Sequence, residues 1–258
     1  MMKEDGYYSM ARTELLPLIP GTAMKILDVG CGEGRLGECL LRRGAEMVVG
    51  IEKHPEAAQR ARGRLTQVIE EDVAALSFSL DLEYFDAIIC ADVLEHLVDP
   101  WGVLKRLAQC LSRNGHLIAS IPNTRYLKLI DHLANGHWTY QSSGLLDKTH
   151  LRFFTLSEIK AMFSKAGLSI TALHVNIGPL YSEFKNQANK HEIRFGRLHI
   201  KGLTLEEFNE FFVFQYLVQA QIDNQKASKP KSRETPSPSN NCPRLLRSVQ
   251  HLHPGNLL

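Results

Sequence analysis

Cysteine pairs, long apolar runs and any marked excess of charge are all missing from this 258-residue sequence. The five cysteines, Cys31, Cys39, Cys90, Cys110 and Cys242, form no CxxC pair and no spacing suited to a zinc site. Four of them stand among apolar neighbours, which reads as small buried hydrophobes in a reducing compartment, so no metal site is expected. No stretch approaches the roughly 20 apolar residues that span a bilayer, so no transmembrane segment is expected. The start, MMKEDGYYSMARTE, has no apolar run behind a basic segment; no signal peptide is expected, and the cytoplasm is the expected compartment. The formal net charge is only +2, and it is unevenly placed. From Asn224 onward six Lys and Arg face one acid, Glu234, whereas the remainder holds 24 basic and 27 acidic residues. The body is therefore no basic nucleic-acid surface, and nucleic acid is not an expected partner.

The basic segment, residues 224–258, holds five of the chain's eleven prolines among Ser, Asn and Lys and has no sustained apolar period. It lacks the apolar surface to offset its ordering entropy and reads as a disordered tail. Residues 1–223 alternate strand and helix. MKILDVG, EMVVGIE, TQVIEED, YFDAIICAD and HLIASIP read as parallel strands, two of them bounded by glycine. GRLGECLLRR is a helix closed by Gly44, Pro55 opens the next, and Asp99-Pro100 caps and starts one whose inward face is Val103, Leu104, Leu107 and Leu111. Thr155 and Glu158 form a capping box before a stripe of Leu156, Ile159, Met162, Phe163 and Ala166. LSITALHV and FFVFQYLVQAQI close the set, and the 177–210 insertion between them has room for a helix around Thr204 to Asn209. The rhythm predicts an α/β fold, a doubly wound and mostly parallel sheet with helices on both faces. There is no internal repeat.

The chemistry concentrates in Asp28-Val29-Gly30-Cys31-Gly32-Glu33-Gly34, a glycine loop between a strand and a helix. Glycine there permits a tight turn and close backbone approach to a ligand. Gly32, Gly34 and Gly37 also satisfy the GxGxxG dinucleotide pattern, so the loop alone is ambiguous. Charge separates the readings. A pyrophosphate at a helix start wants bare amides, but Asp28 and Glu33 are acids, and two like charges about 4 Å apart cost about 4 kcal/mol at an effective dielectric near 20. S-adenosylmethionine brings an ammonium and a sulfonium instead, and acids suit both. Glu52, ending the second strand, can accept both ribose hydroxyls. Asp72-Val73 follows the third strand, where Asp72 either caps a helix or receives the adenine amino group. Asp92 ends the fourth strand, in the crevice where such sheets bind ligands.

KILDVGCGEGRLGE, GIEKH, EEDV and FDAIICADVLEHLVDP, in that order and spacing, resemble four motifs of the class I methyltransferases from about Tyr8 to Ile222. The resemblance implies a Rossmann-like seven-stranded sheet whose last strand is antiparallel. It also implies S-adenosylmethionine as cofactor, with Asp28, Gly30, Cys31 and Gly32 lining the methionine moiety. Glu52 would then hold the ribose, Asp72-Val73 the adenine, and Asp92 the floor beside the reacting methyl. Arg12, on an expected N-terminal helix, is either a surface arginine or a partner for the cofactor's carboxylate. The segment around LLDKTHLRFFT is similar to methyltransferases encoded among bacterial polysaccharide genes. That implies a small-molecule acceptor, a sugar or glycan intermediate methylated at oxygen. Similar cores also methylate quinone precursors and other small metabolites.

Residues 124–155 would form the acceptor lid, supplying His137, Trp138, Tyr140, Asp147, His150 and Arg152. Flat amphipathic aromatics and short polar groups suit a hydroxylated ligand, although Trp138 and Tyr140 would equally pack a lid helix. Oxygen methylation needs alignment and the removal of one proton. His150 and His96 are the candidate bases, with Asp147 placed to orient His150, and Asp92 remains if neither histidine serves. Two rival classes stay open: an NAD-dependent oxidoreductase, disfavoured by the acids in the loop, and a non-catalytic cofactor-binding partner in glycan assembly. The oligomeric state is not readable from the sequence.

Overall fold

The computed structural model describes residues 11–75 and 80–223. The tail expected to be disordered lies outside the described residues. After a 3₁₀ turn at Thr13–Leu18, strand β1 (Lys25–Val29) leads to helix α1 (Arg35–Arg42), β2 (Met47–Ile51) to α2 (Pro55–Ala61), and β3 (Gln67–Ile69) follows. Then come β4 (Phe85–Ala91), α3 (Pro100–Cys110), β5 (Leu111–Pro122), α4 (Leu127–Ala134), α5 (Leu156–Lys165) and β6 (Leu168–Ile177). The chain continues through α6 (Tyr181–Phe184), β7 (Glu192–Phe195), β8 (Leu198–Lys201), α7 (Leu205–Glu210) and β9 (Val213–Ile222).

Seven strands form one sheet in the order β3-β2-β1-β4-β5-β9-β6. Pairing is parallel from β3 to β5, and β9 runs antiparallel between β5 and β6. Period-2 side-chain alternation puts an apolar layer on each face. Leu27, Val29, Ile88 and Cys90 meet Leu104 and Leu107 of α3 and Phe163 of α5 on one side. Ile26, Val48, Ala87 and Ile89 meet Leu15, Leu36 and Leu40 on the other. Asp99 caps α3 by accepting from the Gly102 amide at 2.9 Å, and Gly44 closes α1 at φ 103°. Leu111 is not on the inward face of α3 as expected: the helix stops at Cys110 and Leu111 opens β5, pairing with Phe85.

The insertion carries more structure than the one expected helix. Its β7 and β8 form a separate antiparallel hairpin, pairing Glu192 with Lys201 and Phe195 with Leu198. That hairpin packs with α4, α6 and α7 around a third apolar cluster that includes Leu127, Phe184, Ile193, Phe208 and Phe212. This cap follows the carboxyl end of β5, where the Leu127 amide bonds the Phe211 carbonyl at 2.7 Å. Among the described residues no helix is long and apolar enough to cross a membrane.

Candidate active site

A cleft of about 500 Å³ opens at the carboxyl ends of β1, β2 and β4, the crevice where open α/β sheets bind ligands. The glycine loop builds its floor. Gly30 and Cys31 both donate their amides to the Ile51 carbonyl, at 2.8 and 3.1 Å, so the loop folds back over the end of β2. Gly30 sits at φ 67°, and a Cβ there would lie 2.9 Å from Val93 Cγ2, so any side chain at this position is strained. Glu52, buried, accepts from the Gly32 amide at 2.9 Å and from the His54 amide at 2.9 Å. Asp28 is 2% exposed, and its Oδ2 has no hydrogen-bond partner within the described residues. Burial and then the Glu52 charge push its carboxyl up to about 7. Burial, with Asp28 and Glu52 nearby, raises the Cys31 thiol and keeps it protonated.

Two buried acids on the cleft wall, one with an orphaned oxygen, suit a cationic ligand. Glu33, which the charge argument also used, turns away: it pairs with Arg60 at 2.9 Å and Arg35 at 3.7 Å and is not in the wall. Asp28 and Glu52 carry that argument alone. Asp72 and Val73 line the far end, where Asp72 also closes a turn by accepting from the Ala74 amide at 2.8 Å.

Asp92 and Arg12 meet across the cleft as an ion pair. Both take left-handed backbone, φ 54° and 45°, which is strained for side-chain-bearing residues. Ser120 donates to Asp92 Oδ1 at 2.9 Å, Gln215 donates to the same oxygen, and Arg12 also reaches Ser120 at 3.1 Å and Gln215 at 3.3 Å. Arg12 thus precedes a 3₁₀ turn and engages a protein carboxylate.

His96, Leu97, Thr149 and Leu151 wall the end of the cleft beyond Asp92. The Leu151 and Arg152 amides both bond the Glu95 carbonyl, at 2.8 and 3.0 Å, which pins the 149–152 segment against the Leu94–His96 turn. His150 is 8% exposed and is not part of the cleft wall. Its Nδ1 bonds the Leu145 carbonyl at 3.1 Å, and its ring stands edge-on to His96, centroids 4.7 Å apart. Asp147 Oδ1 accepts from the Thr149 amide at 2.8 Å and hydroxyl at 2.7 Å. Trp138 packs edge-on against Phe153, Tyr140 is exposed, and Arg152 lies over Trp101 while bonding the Val98 carbonyl. None of these three lines the cleft.

Glu95, His96 and His150 also bring one metal-ligating atom each within 4.8 Å of one another. His150 stands far along the chain from His96, which hid this grouping from any spacing argument. The site residues that sequence reasoning missed are Ser120, Thr149, Leu151 and Gln215. Ser120 left a trace, the one hydroxyl in the apolar run from Leu117 to Pro122; Gln215 left none.

A family described as "Methyltransferase domain" matches residues 3–173. The ubiquinone biosynthesis O-methyltransferase of Aeromonas salmonicida is 30% identical over 167 residues, 62% of this chain and 70% of that protein. Its counterpart from Alkalilimnicola ehrlichii is 32% identical over 171 residues, 62% of this chain and 67% of that protein. Among solved structures, a methyltransferase from Archaeoglobus fulgidus that depends on S-adenosylmethionine shares the fold with a TM-score of 0.58 at 17% identity, covering 81% of this chain and 91% of that one. The magnesium protoporphyrin IX methyltransferase of Synechocystis, solved with bound S-adenosylhomocysteine, gives a TM-score of 0.52 at 16% identity, covering 83% of each chain.

Proposed function

The chain belongs to the methyltransferase-domain family and is a class I enzyme dependent on S-adenosylmethionine, and from that premise we propose that it methylates a hydroxyl of a small ring acceptor of the quinone-precursor type. The observation that carries this reading is the wall beyond Asp92. Val93, Leu97 and Leu151 make it apolar, and His96 and Thr149 are its polar groups. Val98, Trp101 and Leu151 continue the apolar character onto the exposed surface beside it. A flat hydroxylated ring matches such a wall better than a sugar, whose many hydroxyls would need more partners. The O-methyltransferase relatives point the same way and away from the glycan acceptor that the LLDKTHLRFFT segment suggested.

In this reading Asp28, Gly30, Cys31 and Gly32 receive the methionine part of the cofactor, Glu52 the ribose, and Asp72-Val73 the adenine. Arg12, held by Asp92, is placed to offer its cation to the cofactor's carboxylate. S-adenosylmethionine supplies a methyl group activated by its sulfonium. His96 would take the proton of the acceptor hydroxyl as its oxygen gains the methyl group, and the carbon–sulfur bond would break with its electron pair going to sulfur, so that S-adenosylhomocysteine leaves. Incubation with radiolabelled S-adenosylmethionine and either catechol or UDP-glucose tests the acceptor class. Labelled 2-methoxyphenol is the expected product, and transfer to the sugar nucleotide alone would overturn the reading.

A further inference from the structure

Arg12 stands outside the sheet, just before the Thr13–Leu18 turn, yet its side chain is only 12% exposed and lines the cleft. A guanidinium keeps its charge at any working pH, so burying it demands acceptors already in place. Glu14, two residues on, takes the Nε hydrogen. The other acceptors come from the sheet. Nη1 meets Asp92 Oδ2, and Nη2 donates to Ser120 Oγ at 3.1 Å and to Gln215 Oε1 at 3.3 Å. Gln215 joins the two charges, because its Nε2 donates to Asp92 Oδ1 while its Oε1 accepts from Arg12. Asn176, its register partner on β6, donates from Nδ2 to the same Oε1 at 3.1 Å. That settles which way the amide faces. Reversed, it would set its NH2 against two donors and its oxygen against the Asp92 carboxylate. Ser120, buried in β5, does the same with one atom: its Oγ accepts from Arg12 and donates to Asp92 Oδ1 at 2.9 Å.

We infer that Gln215 and Ser120 are positioning residues for Arg12, presetting the cation that receives the cofactor's carboxylate, with Asn176 orienting the Gln215 amide. This rests on the proposed role of Arg12 toward that carboxylate. Neither Gln215 nor Ser120 lines the cleft, so both act through Arg12. The left-handed backbone of Arg12 and Asp92, at φ 45° and 54°, is costly and persists because the surrounding contacts hold it. An arginine free to rotate loses side-chain freedom when it meets a carboxylate, whereas one already held by acceptors on four residues does not. Removing one of those acceptors therefore weakens ligands that carry the carboxylate and spares ligands that lack it.

Two probes read this in the full chain by calorimetry. S-adenosylhomocysteine carries the amino-acid end, and 5′-methylthioadenosine presents the same nucleoside and thioether without it. Gln215→Leu and Ser120→Ala should each weaken S-adenosylhomocysteine about tenfold and 5′-methylthioadenosine less than about twofold. Asn176→Ala alters one side chain on the edge strand β6 and serves where the other variants do not fold. It should weaken S-adenosylhomocysteine about three- to fivefold, with 5′-methylthioadenosine again spared. In an Arg12→Ala background, Gln215→Leu should change S-adenosylhomocysteine affinity by less than about twofold, because the residue it positions is gone. Equal weakening of both ligands, an unchanged affinity for S-adenosylhomocysteine in any of the three variants, or a full Gln215→Leu effect in the Arg12→Ala background would overturn the inference. Unchanged affinity for S-adenosylhomocysteine in Arg12→Ala removes the carboxylate assignment itself. A selective loss in Arg12→Ala beside an unaffected Gln215→Leu removes only the positioning role.

Discussion

Asp28, next to last in β1, has one carboxylate oxygen lacking a partner within the described residues, and burial, with Glu52 nearby, pushes its carboxyl up to about 7. An acid whose folded pKa is raised stabilises the fold while it is protonated. That contribution is complete below the ordinary carboxylate range and is lost as pH rises toward and through about 7. The cofactor-free protein should therefore melt lower at pH 8 than at pH 6, and Asp28→Asn should flatten that dependence in a calorimetric pH series. Cofactor binding carries the opposite sign, because a sulfonium and an ammonium favour the ionised acid. Affinity for S-adenosylmethionine should rise from pH 6 to pH 8 with release of a proton, measurable by titration in buffers of different ionisation enthalpy. A pH-independent affinity would remove Asp28 from the cation's neighbourhood. At the same scale, Glu52→Ala should weaken cofactor binding roughly ten- to a hundredfold, since a hydrogen bond to a charged group is worth about 1.5–3 kcal/mol.

The glycine loop shapes the cleft and a capping box opens α7 of the cap, and each has a single-residue test. Alanine at Gly30 must hold φ near 67° with its Cβ 2.9 Å from Val93 Cγ2. A left-handed residue with a side chain costs about 1–2 kcal/mol before the clash is counted, so Gly30→Ala should lower both melting temperature and cofactor affinity. α7 begins at a complete capping box, Thr204 accepting from the Glu207 amide at 3.1 Å and Glu207 bonding back at 2.9 Å. Thr204→Ala should cost about 1 kcal/mol of stability and leave cofactor affinity unchanged, because the box holds the cap and not the loop. Elements with strong local signals were readable from the sequence: the apolar runs of β1 and β4, the Asp99-Pro100 start of α3, Gly44 after α1. The β7–β8 hairpin was not. Its turn, Gly196-Arg197, joins two short strands whose inward residues, Ile193, Phe195, Leu198 and Ile200, have an apolar face only because α6 and α7 come to meet them.

Across the whole molecule, the sheet gathers residues that the sequence scatters. Arg12 and Gln215 stand 203 positions apart and both hold the Asp92 carboxylate, and His96 is fastened to Thr149 from 53 positions away. The residues proposed for the cofactor were legible as a group because each follows a strand or stands in one: Asp28 in β1, Glu52 after β2, Asp72-Val73 after β3, and all four line one cleft. The acceptor end was not, since side-chain direction in the 145–152 segment is set by contacts with the Leu94–His96 turn. His150 and Thr149 are neighbours in sequence, yet the one packs inward against Leu145 and Phe153 while the other reaches the cleft. The account stands most directly on His96, and the decisive measurement is turnover of His96→Gln on catechol, with His150→Gln as its companion and cofactor affinity followed in both by calorimetry. The account predicts that His96→Gln loses about 10²–10⁴ in kcat with cofactor affinity nearly intact, and that His150→Gln loses far less. Turnover within a few-fold of the parent in His96→Gln, or a larger loss in His150→Gln, would contradict it.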